Sequence, residues 1–461
     1  MVDRTRIPGS EKREVEMDSK AQSGCPVAGI DIKELMSREF AACPYPKLAE
    51  LQGEAPVHQV GDKPWYLVTR HDECLRVLMD PEHFSSEHDD FGPALKAIGI
   101  TPTPDQVERM QALGGNRSNM VDVIPHRDPP VHTRQRKVII KAVTARFRRW
   151  EEFIEEQSAR LLARFEGRTE IDLIAEAAAP LPIAVIADIL GIPDDYLPKI
   201  KQWSDDSSQT SGRYASDEDW MALAKAMSEQ RAMFASEVRK RLADPSDDLI
   251  GRIAAMTQEP VDEATGEGPL DFDEGVELLT LAMLGGNETT TQLIGAAMFY
   301  LATEPGLLDR VRTQPDIIPG IVEESLRLTA PVFTMMRFCK QDAEIGGVPI
   351  PAGSIVSVCF NQANRDPKVF PDPDTFVAER TNTRRHLSFG QGIHVCPGAQ
   401  LARLETRIWI ARLAERVKHM ELAGPDAVRY DLASLAVRGM TSLRVRYELF
   451  DKQSGQLGEA A

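Results

Sequence analysis

Between residue 130 and about 245 the chain carries apolar positions at helical spacing among Ala, Leu, Arg and Glu. A run of that kind commits the molecule to several helices packed on one another around a shared core. At 461 residues the chain could hold two or three domains, but it shows no internal repeat and no low-complexity linker. The reading is therefore one large unit, mainly α with a smaller β region. Its N-terminal 27 residues are polar and are expected to form a flexible extension, leaving 28–461 as a single domain.

The β signals are local. APVHQV (55–60) and PWYLVTR (64–70) alternate around the turn GDK and predict a hairpin. A short helix over 71–80 follows, stopped by Pro81. Residues 84–125 are rich in Gly, Pro and Asp and read as an irregular loop, functional or mobile. Long and medium helices are predicted over 272–303, 315–329 and from Cys396 to about 417, and strands over 335–360 and 443–450.

Charge and cysteine usage exclude several functions. A net charge of −17 argues against nucleic acid or an anionic membrane as the main partner. The N-terminus has no apolar segment of the secretory kind, and the longest near-apolar run, LLTLAMLGG at 278–286, is too short to cross a bilayer. A cytoplasmic protein is expected. The six cysteines lack C-x-x-C spacing, which removes zinc ribbons and cluster-binding frameworks. Five of them read as small buried hydrophobes.

The sixth is Cys396, in FGQGIHVCPG at 389–398. The run after it is amphipathic, with Leu401, Leu404, Ile408 and Ala411 on one face. Pro397 suits a first helical position, which would put Cys396 at the N-cap, where free N–H groups favour a thiolate. The glycines at 390, 392 and 398 would let something large and flat approach. Four readings are open: a structural cysteine in a glycine turn, a Cys–His nucleophile with His394 as base, a phosphate loop, or a thiolate ligand to haem iron.

Phe389, Gly390, Gly392, His394, Cys396 and Gly398 resemble the haem-binding loop of cytochrome P450 enzymes. Further motifs stand in the same order as in that family. IVEESLRLTAP holds Glu324 and Arg327 on one helix face, and FPDPDTFVAER holds Arg380. The resemblance implies that these three form a structural cluster beneath the haem. LGGNETTT places Gly285, Glu288 and Thr289 in the long helix. Thr289, four residues after Gly285, can bond that carbonyl and open the helix locally. The resemblance makes this the oxygen-binding segment, with Glu288 and Thr289 as a proton relay. Their glutamate replaces the family's commoner aspartate. HRDPPVHTRQR puts His132 and Arg136 on one helix face, where the resemblance implies binding of haem propionates, as it does for Arg337 and His394. Val143-Thr144 stands where the family often has Phe-Thr.

Membership of that kind implies a P450 fold and haem b with an axial thiolate. It also implies a monooxygenase that inserts one atom of O2 into a C–H bond of an apolar small molecule such as a terpenoid, steroid or fatty compound. The resemblance assigns Leu95, Ile98, Met283, Leu284, Val332, Phe333, Met335, Ala436 and Val437 to the pocket wall. The chain shows no flavin fingerprint, so electrons are expected from a separate ferredoxin and its NAD(P)H reductase. A basic face of Arg134, Lys137 and Lys141, with Arg403 and Arg407, is its expected docking site. A peroxide-driven haem oxygenase lacks the acid–alcohol pair that Glu288 and Thr289 provide. A non-catalytic haem sensor is distinguished by the absence of oxygen consumption.

Overall fold

The computed structural model describes residues 29–87, 103–113, 123–144, 147–209, 216–261, 268–431 and 437–451. The expected N-terminal extension lies outside these residues, as do Leu95, Ile98 and Ala436. The side chains of Lys141, Val143 and Thr144 lie outside the description as well.

Seven helices frame the molecule: α1 (Val131–Thr144), α2 (Phe147–Leu162), α3 (Pro180–Leu190), α4 (Asp217–Ala243), α5 (Phe272–Thr303), α6 (Ile318–Leu328) and α7 (Ala399–Arg416). The axis of the fold is α5. Its N-cap, Asp271, accepts from the Asp273 and Glu274 N–H groups at 2.8 and 3.3 Å. It ends before Pro305, which cannot continue the hydrogen-bond ladder. Between these ends it is apolar nearly all round, as a helix surrounded by protein must be. Val276, Leu279, Leu293, Ile294 and Met298 are fully or almost fully buried. They share one core with Leu181 and Val185 of α3, Phe234 of α4, Ile321 of α6 and Trp409 and Leu413 of α7. Burying each such side chain contributes about 1.5–3 kcal/mol relative to leaving it exposed.

The helical run from 130 to 245 contains one strand among its described residues. Glu170–Asp172 is a strand, followed by a π-helical turn at Ile174–Ala178. Ile171 pairs with Val445 of the C-terminal strand Met440–Leu449, so a distant partner overrides the local helical preference.

The main sheet contains β1 (Gly29–Ile30), β2 (Val57–Val60), β3 (Trp65–Val68), β4 (Phe84–Ser85), β5 (Thr334–Cys339) and β6 (Ile355–Cys359), in the order β1-β2-β3-β6-β5-β4. The hairpin expected from GDK is β2–β3, with Val57 opposite Val68. WYLV in β3 and IVSVC in β6 are buried at every position, which suits their central place. The edge strand β4 is short and, among the described residues, pairs only with β5, Ser85 opposite Phe338. Cys74, Cys339 and Cys359 are buried as expected, but Cys43 is exposed, because it sits at the C-terminal end of the five-residue helix Arg38–Ala42.

Candidate functional site

The cysteine loop is held by its backbone. The Cys396 N–H donates to the Phe389 carbonyl at 2.8 Å, closing FGQGIHVC into a ring. Gly390 and Gly392 sit at φ +69° and +70°, a region that favours glycine. A Cβ on Gly392 would also lie 2.5 Å from the Leu78 carbonyl. These two glycines therefore answer to turn geometry and close packing more than to ligand access. The expected helix start is also corrected. The N-cap of α7 is Gly398 and its first residue Ala399, so Cys396 and Pro397 belong to the loop. Closure of the ring on Phe389 draws Cys396 back from the helix.

The thiol nonetheless receives the helix start. The Gly398 and Ala399 N–H groups face its sulfur, with the Arg136 and Arg403 charges nearby. The side chain is solvent-accessible yet surrounded by protein. Burial is the largest influence and outweighs those groups, so the free thiol is raised, contrary to the expected thiolate. A coordinating metal would deprotonate it outright.

Four of the expected residues converge beside it. The His132 and His394 rings are in contact, with centroids 4.4 Å apart and planes tilted by 59°. Burial first, then the charges of Arg337 and its neighbours, pushes His394 down to about 3. Burial and Arg136 lower His132 as well, so both rings are neutral at pH 7. Burial lowers Arg136, and lowers Arg337 to about 10. Several polar nitrogens here have no protein partner of normal geometry among the described residues: Arg136 Nη1, His394 Nδ1 and both nitrogens of His132, although the Ile393 carbonyl lies near the last. The one carboxylate acting on Arg337, His132 and His394 together is Asp128. Its oxygens are already taken by Ser85 Oγ at 2.7 Å, the Ser86 N–H at 3.1 Å and Lys340 Nζ at 2.7 Å.

A buried cluster of cations and unused donors beside one accessible thiol fits haem b. Its two carboxylates would complete the cluster, and the macrocycle supplies the ligands that one cysteine cannot. No group of His, Cys, Asp and Glu that could itself cage a metal occurs among the described residues.

On α5, a continuous helix through this segment, the expected bond between Thr289 and Gly285 is present. Thr289 Oγ1 donates to the Gly285 carbonyl at 2.9 Å. Gly285 is exposed, with open space where a Cβ would stand, whereas Gly286 packs on Ile186, 3.1 Å from its missing Cβ. Glu288 and Thr289 are half-buried. Two expected pocket residues are core instead. Met283 is fully buried in the main core, and Phe333 packs with Trp65 and Ile355. Leu284, Val332, Met335 and Val437 are half-buried, and Val332 bridges Val437.

Beneath the loop, the doublet Glu323-Glu324 faces two ways. Glu324 takes Arg327 and Arg380, as expected. Glu323 takes Arg403, with Nε at 2.6 Å and Nη2 at 3.0 Å, and His386 Nε2 at 3.0 Å. Sequence reasoning missed this second cluster, although the doubled glutamate was its signal. It also corrects the docking face: Arg403 is tied to Glu323, and Arg134 pairs with Glu274. Burial would raise the Glu323 carboxyl, but the hydrogen bonds from His386 and Arg403 outweigh it and hold it down to about 2. A depressed carboxyl stabilises the fold above its ordinary 4.5 and loses that contribution as pH falls toward 2. Glu323→Gln is expected to remove on the order of 2–3 kcal/mol of this acid dependence, measured by denaturant titration across that window.

Comparison with known proteins places these features in context. The family model described as Cytochrome P450 matches residues 208–421. The 6-deoxyerythronolide B hydroxylase of Saccharopolyspora erythraea is 34% identical over 433 residues, 90% of this chain and 99% of the relative. Cytochrome P450 monooxygenase PikC of Streptomyces venezuelae is 32% identical over 425 residues, 89% of this chain and 93% of the relative. The crystal structure of CYP109E1 from Bacillus megaterium in complex with testosterone superposes with a TM-score of 0.75 at 27% identity, covering 89% of this chain and 99% of that one.

Proposed function

Since the chain belongs to the cytochrome P450 family and is a monooxygenase carrying cysteine-ligated haem b, we propose that Cys396 is the ligand and that His132, Arg136, Arg337 and His394 hold the haem carboxylates. The observation that carries this reading is the cluster of unpartnered buried donors beside an accessible thiol. When bound, the haem activates O2, one atom of which enters a substrate C–H bond while the other leaves as water.

The chain's own residues move the protons. The Thr289 hydroxyl hydrogen is committed to the Gly285 carbonyl, so Oγ1 presents only lone pairs to the open side of α5. It is thereby a fixed acceptor that orients a water in the gap left by Gly285. Glu288, the adjacent acid, supplies protons to that water. The half-buried Leu284, Val332, Met335 and Val437 provide an apolar wall. The substrate is an apolar small molecule of terpenoid, steroid or fatty character. That class is in keeping with a relative named for 6-deoxyerythronolide B and a similar structure holding testosterone. Electrons come from a ferredoxin and its NAD(P)H reductase. The exposed Arg407 remains as a candidate contact in the docking face once Arg134 and Arg403 are assigned to internal pairs. Among the described residues no helix is long and apolar enough to cross a membrane.

The test is turnover under 18O2 with ferredoxin, reductase and a panel of terpenoids, steroids and fatty acids. One labelled oxygen per product is expected. With Thr289→Ala, product per NAD(P)H is expected to fall at least about tenfold while oxygen uptake continues. Unchanged coupling in the variant removes the relay.

A further inference from the structure

His394 has two ring nitrogens with different surroundings. Nε2 lies 3.0 Å from Ser86 Oγ, while Nδ1 is buried without a partner among the described residues. Which nitrogen carries the proton decides whether the ring can serve an anion at all. A neutral imidazole has one donor and one acceptor, and the hydrogen bond at one nitrogen sets the role of the other.

The surroundings of Ser86 are specified in detail. Asp128 Oδ1 accepts the Ser86 N–H at 3.1 Å, and Asp128 Oδ2 accepts Ser85 Oγ and Lys340 Nζ, both at 2.7 Å. The Lys340 N–H in turn donates to the His83 carbonyl at 2.9 Å, and Ser85 pairs with Phe338 across the edge of the sheet. Asp128 also caps the start of α1, where its carbonyl accepts the His132 N–H at 3.0 Å. Asp128 thus fastens the end of β4 and the end of β5 through its carboxylate and the start of α1 through its carbonyl. Ser86 is almost fully buried there. The one hydrogen-bond partner of its hydroxyl among the described residues is His394 Nε2, at 3.0 Å.

We infer that Ser86 is a positioning residue for haem binding: its hydroxyl donates to His394 Nε2 and so places the ring proton on Nδ1. The inference rests on the reading that His394 meets a haem carboxylate. The opposite tautomer would turn a bare lone pair toward that carboxylate. Asp128 acts one step further out, holding the Ser86 backbone so that the hydroxyl reaches the ring. The two-residue strand β4 then has a task beyond closing the sheet edge, which is to deliver Ser86.

The experiment is a double-mutant cycle on the holoenzyme with Ser86→Ala, His394→Ala and the pair. The rate of haem loss to an excess of a haem-scavenging apoprotein is read alongside the reduction potential. Ser86→Ala is expected to speed haem loss about threefold to tenfold, the effect of one hydrogen bond. On the His394→Ala background it should add nothing, in rate or in potential. Additive effects would mean that Ser86 serves the fold alone and would overturn the inference. So would an unchanged rate in Ser86→Ala while His394→Ala loses haem faster. If His394→Ala itself retains haem as well as wild type, the assignment of His394 to a haem carboxylate fails first, and the role of Ser86 falls with it.

Discussion

Cys396→Ser protein, reduced and exposed to carbon monoxide, is expected to lose the strongly red-shifted Soret band of the wild type together with all monooxygenase turnover. The two side chains are nearly the same size, so the loop need not move. The difference is electronic. A thiolate donates strongly to iron, whereas a serine hydroxyl stays protonated and donates weakly. The free thiol of Cys396 is raised by burial, but two helix-start N–H groups and the charges of Arg136 and Arg403 already favour its anion. Metal binding needs only to tip that balance, and it releases the proton. Haem content should be assayed in both proteins, because the cluster of His132, Arg136, Arg337 and His394 can retain haem without the sulfur. A variant that keeps the red-shifted band would exclude Cys396 as ligand. A colourless wild type would remove the haem reading altogether.

Glu324→Ala is expected to cost about 3–5 kcal/mol, enough to leave little folded holoprotein at 37 °C. Glu324 is fully buried and accepts from Arg327 Nε at 2.8 Å and Nη2 at 2.7 Å, Arg380 Nε at 2.9 Å and the Val377 N–H at 3.1 Å. Arg327, also fully buried, donates onward to the carbonyls of Asn364, Pro373 and Thr375. Arg380 donates to those of Pro371, Asp372 and Thr375. The network therefore holds the proline-rich coil against α6, and that coil leads into the cysteine loop. Removing the carboxylate leaves a guanidinium buried among carbonyls with no anion. Glu324→Gln keeps the shape and one acceptor oxygen and should cost less, about 1.5–3 kcal/mol. Denaturation midpoints of the two variants, with haem absorbance followed in parallel, give the comparison. Equal stability of Glu324→Ala and wild type would show that the network is dispensable.

The elements that were legible in the sequence share a property: each depends on residues close together in the chain. The bounds of α5 follow from Asp271 and Pro305, and the Thr289–Gly285 bond from four-residue helical spacing. The β2–β3 hairpin follows from GDK. Glu324 and Arg327 were paired from i,i+3 geometry, and the structure puts them within 2.8 Å. The resemblance added Arg380, His132, Arg136, Arg337 and His394 by motif, and the last four do converge on one cluster with Cys396.

What stayed hidden depends on contacts between distant parts of the chain. Nothing near Ser86 announces His394, 308 residues away, and Asp128 reaches Ser86 across 42. Arg403 looked like a solvated docking residue because its helix face is basic, yet Glu323, 80 residues earlier, claims it. Met283 and Phe333 are apolar wherever they point, so composition could not tell a pocket wall from core. The start of α7 was misjudged by two residues because ring closure between Cys396 and Phe389 outweighs the preference of Pro397 for a first helical turn. The sequence alone determined the local chemistry: which residue types stand at which spacing on helix, turn and strand. The tertiary structure decided which of those groups are left without partners once the core has formed. That depends on burial and long-range closure, and the unpartnered donors beside Cys396 are what mark the site.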